Sequence, residues 1–212
     1  MTTTLIIARH GNTFEKGDTI LRVGGRTDLP LTAEGEEQGK RLGLCLKKHG
    51  YEIDKVYAAP LKRTMTTAQK AIETYGKPLI CERLTFLTEI DYGVDEAKPE
   101  TEVVARIGQD ALDKWNNSAL PPDGWNVDPA KITASWQQFA SSIANGNETV
   151  LAVTSNGIAR FALSLSEDYR LGKIAGLNIK LSTGAFGVLL YDGKQWHIAN
   201  WNIKPKDELA KP

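Results

Sequence analysis

A chain of 212 residues and 23.3 kDa is long enough to bury one substantial core and short for two, so a single domain over residues 1–212 is expected. Its 26 basic and 26 acidic residues cancel, which leaves no surplus of positive charge to grip nucleic acid or an anionic bilayer. No apolar run approaches membrane-spanning length, and Met1 to Thr4 leads into a strand-like segment without a basic leader or cleavage site, so a cytoplasmic protein is expected.

Residues 4–9 form a short apolar run that ends at Arg9-His10-Gly11, the pattern of a buried strand opening into a loop. Thr32 is a natural N-cap for a helix over 33–48, with Leu42, Leu46 and the small Gly39 and Gly43 on one face. A second strand is predicted over 54–59. Pro60 then stands where a first helical turn accepts proline, and Leu61, Met65, Ala68, Ile72 and Tyr75 mark an amphipathic helix stopping at Gly76. Residues 79–81 are a candidate strand and 100–115 a candidate helix. Residues 119–129, with three prolines and Gly124, form a loop, and a helix restarts at Asp128 or Pro129 and runs through Phe139 and Ile143. The most apolar strand, 149–154, leads through Ser155-Asn156-Gly157 into a helix bearing Ile158, Phe161 and Leu165. Residues 186–191 and 196–201 flank the turn signal Asp192-Gly193 and predict a hairpin. Cys45 and Cys81, far apart and without a CxxC, form neither a disulfide framework nor a sulfur-rich metal site and read as ordinary buried residues.

Strands alternating with helices predict an α/β fold, a three-layer α/β/α arrangement with a mostly parallel sheet and an antiparallel edge element. Ligands of such sheets sit beyond the strands' carboxyl ends. Three polar clusters fall there: Arg9-His10, the Arg63 helix start and Ser155-Asn156. A neutral imidazole at His10 can attack phosphorus, and the Arg9 guanidinium beside it disfavours imidazolium and offers donors to phosphoryl oxygens. Gly11 lets backbone approach a ligand.

Three separated stretches, Arg9 to Thr13, Gly25 to Gly35 and Ala59 to Ala68, together resemble the histidine phosphatases, also called phosphoglycerate-mutase-like proteins, in order and spacing over most of the chain. The resemblance implies that fold, with residues about 94–148 inserted as loop and helix over the pocket. It also implies a phosphomonoester hydrolase: His10 becomes phosphorylated, Arg9 and Arg63 hold the phosphoryl group, and Glu89, in Thr88-Glu89-Ile90-Asp91-Tyr92-Gly93, donates the proton. Each role is chemically apt, because phosphoryl transfer gathers charge on equatorial oxygens and the departing alkoxide needs a proton. Asp91 is the fallback acid. Asn12 and Thr13 are candidates to touch substrate and Arg26 to line the entrance, although turn formation explains Gly24, Gly25 and Asp28 equally well.

One departure stands out. Where the family carries a second histidine in a His-Gly-Gly-like turn, this chain reads Val153-Thr154-Ser155-Asn156-Gly157, and neither His49 nor His197 takes its place. Losing a donor aimed at transition-state charge costs on the order of 100- to 1000-fold in rate, about 3 to 4 kcal/mol. Ser155 and Asn156 keep a hydroxyl and an amide for phosphate, or merely cap the next helix. Three readings follow: a phosphatase working through His10, slowed by Ser155; a non-catalytic phosphate- or phosphoprotein-binding member; and a phosphoglycerate mutase, disfavoured because Val94 to Lys98 lacks the mutase continuation after Tyr92-Gly93. The partner implied is a phosphorylated small molecule or a phosphoprotein. No Walker or dinucleotide motif and no metal-ligand cluster is present, so neither a cofactor nor a metal is expected. Trp115, Trp125 and Trp136 either cover the pocket or pack the core, the commoner use of tryptophan at such spacing.

Overall fold

A computed structural model describes residues 2–174 and 176–211. Strands β1 (Thr3–Arg9), β2 (Ile53–Ala58), β3 (Cys81–Arg83), β4 (Thr149–Thr154), β5 (Phe186–Tyr191) and β6 (Trp196–Ile203) build one sheet in the order β3-β2-β4-β1-β5-β6. The pairings β2–β3, β2–β4 and β1–β4 are parallel, whereas β5 runs antiparallel to β1 and to β6. The predicted hairpin therefore closes one side of a parallel sheet.

β1 is apolar at every position from Leu5 to Ala8, as suits a strand covered on both faces. Leu5 and Ile7 belong to one core cluster with Val150, Ala152, Trp136 and Phe139, while Ile6 and Ala8 join Leu151, Val153, Leu42, Leu46 and Ala68 on the other side. Helices α1 (Ala33–Lys48) and α2 (Lys62–Tyr75) cover the second face, and α5 (Pro129–Ile143) covers the first. Each fully buried core side chain stabilises the fold by roughly 1.5–3 kcal/mol. The caps follow the predicted residues: Thr32 accepts from Gly35 N, Asp128 accepts from Lys131 N, and Gly76 ends α2 in the left-handed region at φ 84°.

Several predicted boundaries moved for local reasons. Pro60 lies outside α2, since Leu61 is extended and Thr64 Oγ1 donates to the carbonyls of Ala59 and Leu61. The first free N–H of that helix, on Lys62, is taken by Asp28 Oδ1 at 2.7 Å, so Asp28 does more than form a turn. β3 is two residues later than predicted because its register is set by pairing to residues 56–58, continued by Leu84 N donating to Ala58 O. The helix predicted over 100–115 is two helices, α3 (Glu100–Ile107) and α4 (Gln109–Ser118), broken at Gly108, whose φ of 80° only glycine adopts cheaply. After β4 a single α-helical turn, α6 (Asn156–Ala159), passes into a 3₁₀ segment over Arg160–Leu165. Cys45 is buried as predicted, but Cys81, on the edge strand, is only half-buried.

Candidate active site

The carboxyl ends of β2, β4 and β1 lie side by side, with Ala58 opposite Val153 and Arg9 opposite Thr154. The ladder continues one residue further on each side: His10 N donates to Thr154 O at 3.0 Å and Ala59 N to Val153 O at 3.1 Å. This places His10 next to the β4 end that carries Ser155. A cleft of about 570 Å³ opens there, lined among others by Arg9, His10, Asn12, Thr13, Glu89 and Asn156.

His10 is buried, and its Nδ1 lies 2.7 Å from Gly11 O. A carbonyl can only accept, so Nδ1 carries the hydrogen and Nε2 keeps its lone pair. Burial, then the charges of Arg63 and Arg9, hold the imidazole pKa well below its ordinary 6.5, outweighing the opposing pull of the Gly11 carbonyl. His10 is thus neutral at neutral pH, in one tautomer. Above pH 6.5 folded and unfolded imidazole are both neutral, whereas below it the unfolded chain takes up a proton that folded His10 refuses. The native chain should therefore lose more melting temperature than His10→Ala between about pH 7.5 and about pH 5.5; parallel losses in a pair of thermal melts would show an imidazole that titrates normally.

Glu89 is buried and fixed by two backbone donors, Ile90 N to Oε1 at 3.0 Å and Gly157 N to Oε2 at 3.2 Å. Its segment hangs from β4, because Thr154 Oγ1 donates to Leu87 O at 2.5 Å. Arg9 Nη1 donates to Leu181 O at 2.8 Å. Arg63 is fully buried behind the cleft, its two Nη groups donating to Thr27 O at 2.7 Å and Gly24 O at 3.0 Å. Ser155 is also fully buried and makes no capping bond. Arg9 Nε, Arg63 Nε and Ser155 Oγ have no hydrogen-bond partner among the described residues, and unpaired buried polar groups are uncommon enough to call for a ligand or another explanation. Asn156 faces the cleft while its Oδ1 accepts from Leu181 N at 2.9 Å.

The family model for the histidine phosphatase superfamily, branch 1, matches residues 5–204. The chain belongs to this superfamily. It is 35% identical over 123 residues to a 2,3-bisphosphoglycerate-dependent phosphoglycerate mutase of Rhizobium etli, covering 57% of this chain and 58% of that mutase; the match thus spans under two thirds of that relative. Among solved structures it is similar in fold to a phosphoglycerate mutase of Bacillus anthracis (TM-score 0.76, 17% identity, 99% of this chain and 96% of the other). It is likewise similar to a mycobacterial glucosyl-3-phosphoglycerate phosphatase in complex with VO₃ (TM-score 0.73, 20% identity, 94% and 98%).

In this superfamily member the fallback acid and the proposed entrance residue lie elsewhere. Asp91 Oδ1 accepts from Arg26 Nε at 3.0 Å and Oδ2 from Asn126 Nδ2 at 2.9 Å, and neither Asp91 nor Arg26 lines the cleft. Their side chains are spent on tying the 24–28 loop to residues 91–126. Trp136 is core, but Trp115 both packs and lines the cleft, with Leu112 and Asn116 beside it on α4. Sequence reasoning missed three cleft cations, Arg22, Arg160 and Lys180. Arg160 had a usable signal, since it lies one helical turn past Asn156 at the end of β4. Arg22 and Lys180 had none, being placed by long-range packing of irregular segments. No helix among the described residues is long and apolar enough to cross a membrane.

Proposed function

We propose that the chain is a phosphomonoester phosphatase that works through a phosphohistidine at His10. The observation that carries this reading is the Nδ1 bond to Gly11 O, which leaves a neutral Nε2 as nucleophile in a cation-lined cleft. Nε2 attacks phosphorus as the ester P–O bond breaks. Glu89 in its protonated form gives the leaving oxygen its proton, and as carboxylate it then takes one from the water that splits the P–N bond, restoring the enzyme and releasing phosphate. Arg9 offers donors to the phosphoryl oxygens. Arg63 adds charge from behind and braces the loop at Gly24 and Thr27 through one N–H of each Nη, while its Nε makes no hydrogen bond among the described residues. Asn12 and Asn156 contribute polar groups at the cleft wall. Residues 94–148 act as the cover, α4 supplying Leu112, Trp115 and Asn116.

Ser155 stands in for the second pocket histidine and brings a hydroxyl in place of a ring donor. That neutral, fully buried group favours a second reading, a phosphate- or phosphoprotein-binding member without turnover. The likeness to the Rhizobium phosphoglycerate mutase gives a third reading, tested by interconversion of the two monophosphoglycerates. Quenching a reaction with a phosphomonoester in alkali, where a phosphoramidate survives, and analysing the peptide from His10 to Lys16 by mass spectrometry separates these readings from the first. Phosphate release with a phosphoryl group on His10 is expected. Release without that label overturns the mechanism, and binding without release or label establishes the non-catalytic reading.

A further inference from the structure

We propose that Gln38, a helix residue outside the cleft, is a positioning residue for the nucleophile: its side-chain oxygen fixes the peptide whose carbonyl sets the tautomer of His10. The inference rests on the reading of His10 as nucleophile and deepens it by naming what keeps the lone pair on Nε2.

The peptide between Gly11 and Asn12 is bonded on both sides. Its carbonyl, Gly11 O, lies 2.7 Å from His10 Nδ1, and its N–H, on Asn12, donates to Gln38 Oε1 at 2.8 Å. A backbone N–H can only donate, so the oxygen of the Gln38 amide and not its nitrogen faces Asn12. In a trans peptide the N–H and C=O share one plane and point in opposite directions, so whatever holds the N–H also aims the carbonyl. Hydrogen bonds in series polarise one another, and the engaged N–H makes Gly11 O a stronger acceptor for the ring. The peptides on either side are held by other groups: Gly11 N donates to Thr67 Oγ1 at 3.0 Å, and Asn12 O accepts from Thr32 N at 2.9 Å. Neither of those bonds involves the plane between Gly11 and Asn12, whose N–H has Gln38 as its only acceptor among the described residues.

Close packing brings the helix within reach of the loop. Gln38 follows Gly35 by three residues on α1 and so stands on the same face. A Cβ on Gly11 would lie 2.2 Å from Gly35 O, so only a bare Cα lets loop and helix approach this far. Gly184 closes the other side: a Cβ there would lie 2.8 Å from Gln38 Cβ, and Gly184 N donates to His10 O at 3.1 Å. Gln38 itself does not line the cleft. It borders a separate cavity of about 250 Å³, together with Arg41, Lys204 and Lys206. Its influence on the ring therefore passes through the peptide and not through a contact with substrate in the cleft.

Ring ¹⁵N chemical shifts of the labelled chain, which has three histidines to assign, report the tautomer without substrate. Native His10 is expected with its hydrogen on Nδ1. Gln38→Met has similar length and only a weak acceptor, and Gln38→Asn keeps the amide one methylene short of the loop. Both should move the two ring nitrogen shifts towards each other as the tautomer with hydrogen on Nε2 gains population. In both, kcat for a phosphomonoester should fall by about threefold to tenfold at unchanged KM, the fold-change that one neutral hydrogen bond is worth. Gln38→Glu retains an acceptor, with Arg41 and Lys204 beside it for the added charge, and should keep the native shifts and a kcat within about twofold of native. Native shifts in Gln38→Met and Gln38→Asn, a rise in KM at unchanged kcat, equal losses in Gln38→Glu and Gln38→Met, or a native ring with hydrogen on Nε2 overturn the inference. Because the shifts are read without turnover, a tautomer change in these variants with no phosphoryl label on His10 would overturn the phosphatase reading and leave the role of Gln38 standing.

Discussion

Replacing His10 with alanine is expected to lower phosphate release from a phosphomonoester by on the order of 10⁴-fold or more, the scale seen when a covalent nucleophile is removed. No other group can form the intermediate from the same place. His10 continues β1 through its N–H bond to Thr154 O, and its carbonyl accepts from Gly184 N at 3.1 Å, so the backbone of the variant stays anchored while the ring is lost. Truncation leaves Gly11 O without its 2.7 Å donor, a cost of about 1–3 kcal/mol in stability, which a thermal melt will show as a lower but cooperative transition. Steady-state phosphate release by the folded variant is the measurement. A loss smaller than about tenfold would be incompatible with His10 as nucleophile.

Gly157→Ala should produce the next largest effect. A Cβ at position 157 would stand 2.2 Å from Glu89 Oε1 and 3.1 Å from Ile90 Cγ1, closer to the carboxylate than real side chains come. The carboxylate must swing away and give up the 3.2 Å bond from Gly157 N. A misplaced general acid costs roughly 10²- to 10⁴-fold in rate, and overpacking costs about 1–3 kcal/mol in stability. The loss should be smaller for substrates with good leaving groups, such as aryl phosphates, because they need less protonation. If alkyl and aryl phosphates lost rate equally, Glu89 would be something other than the proton donor.

The structure explains why some of this was legible in residues alone. Thr32, Asp128, Gly76 and the unbroken apolar run of β1 act through neighbours one to four positions away, and local rules read them correctly. The 100–115 stretch has the pattern of one helix, although Gly108 inside it is itself a break signal. The site divides the same way. His10, Glu89, Asn12 and Asn156, recognised through motif or resemblance, all line the cleft. Arg63 and Ser155 came from the same signals and lie fully buried at its back, a depth that no motif encodes. Asp91 and Arg26 were equally plausible by type, but each found the other instead.

By itself the sequence determined the α/β class, the order of the elements and the residue types gathered at three strand ends, because periodicity, caps and turn chemistry are short-range and repeat in the chain. Only the tertiary structure decided what those residues meet. The tautomer of His10 depends on a carbonyl's direction, the fit of Glu89 on the bare Cα of Gly157, and the charge of the cleft on Arg22, Arg160 and Lys180 arriving from three distant segments. A chain whose charges sum to zero can still concentrate cations in one cleft, since net charge records how many charges a fold carries and packing alone sets where they stand.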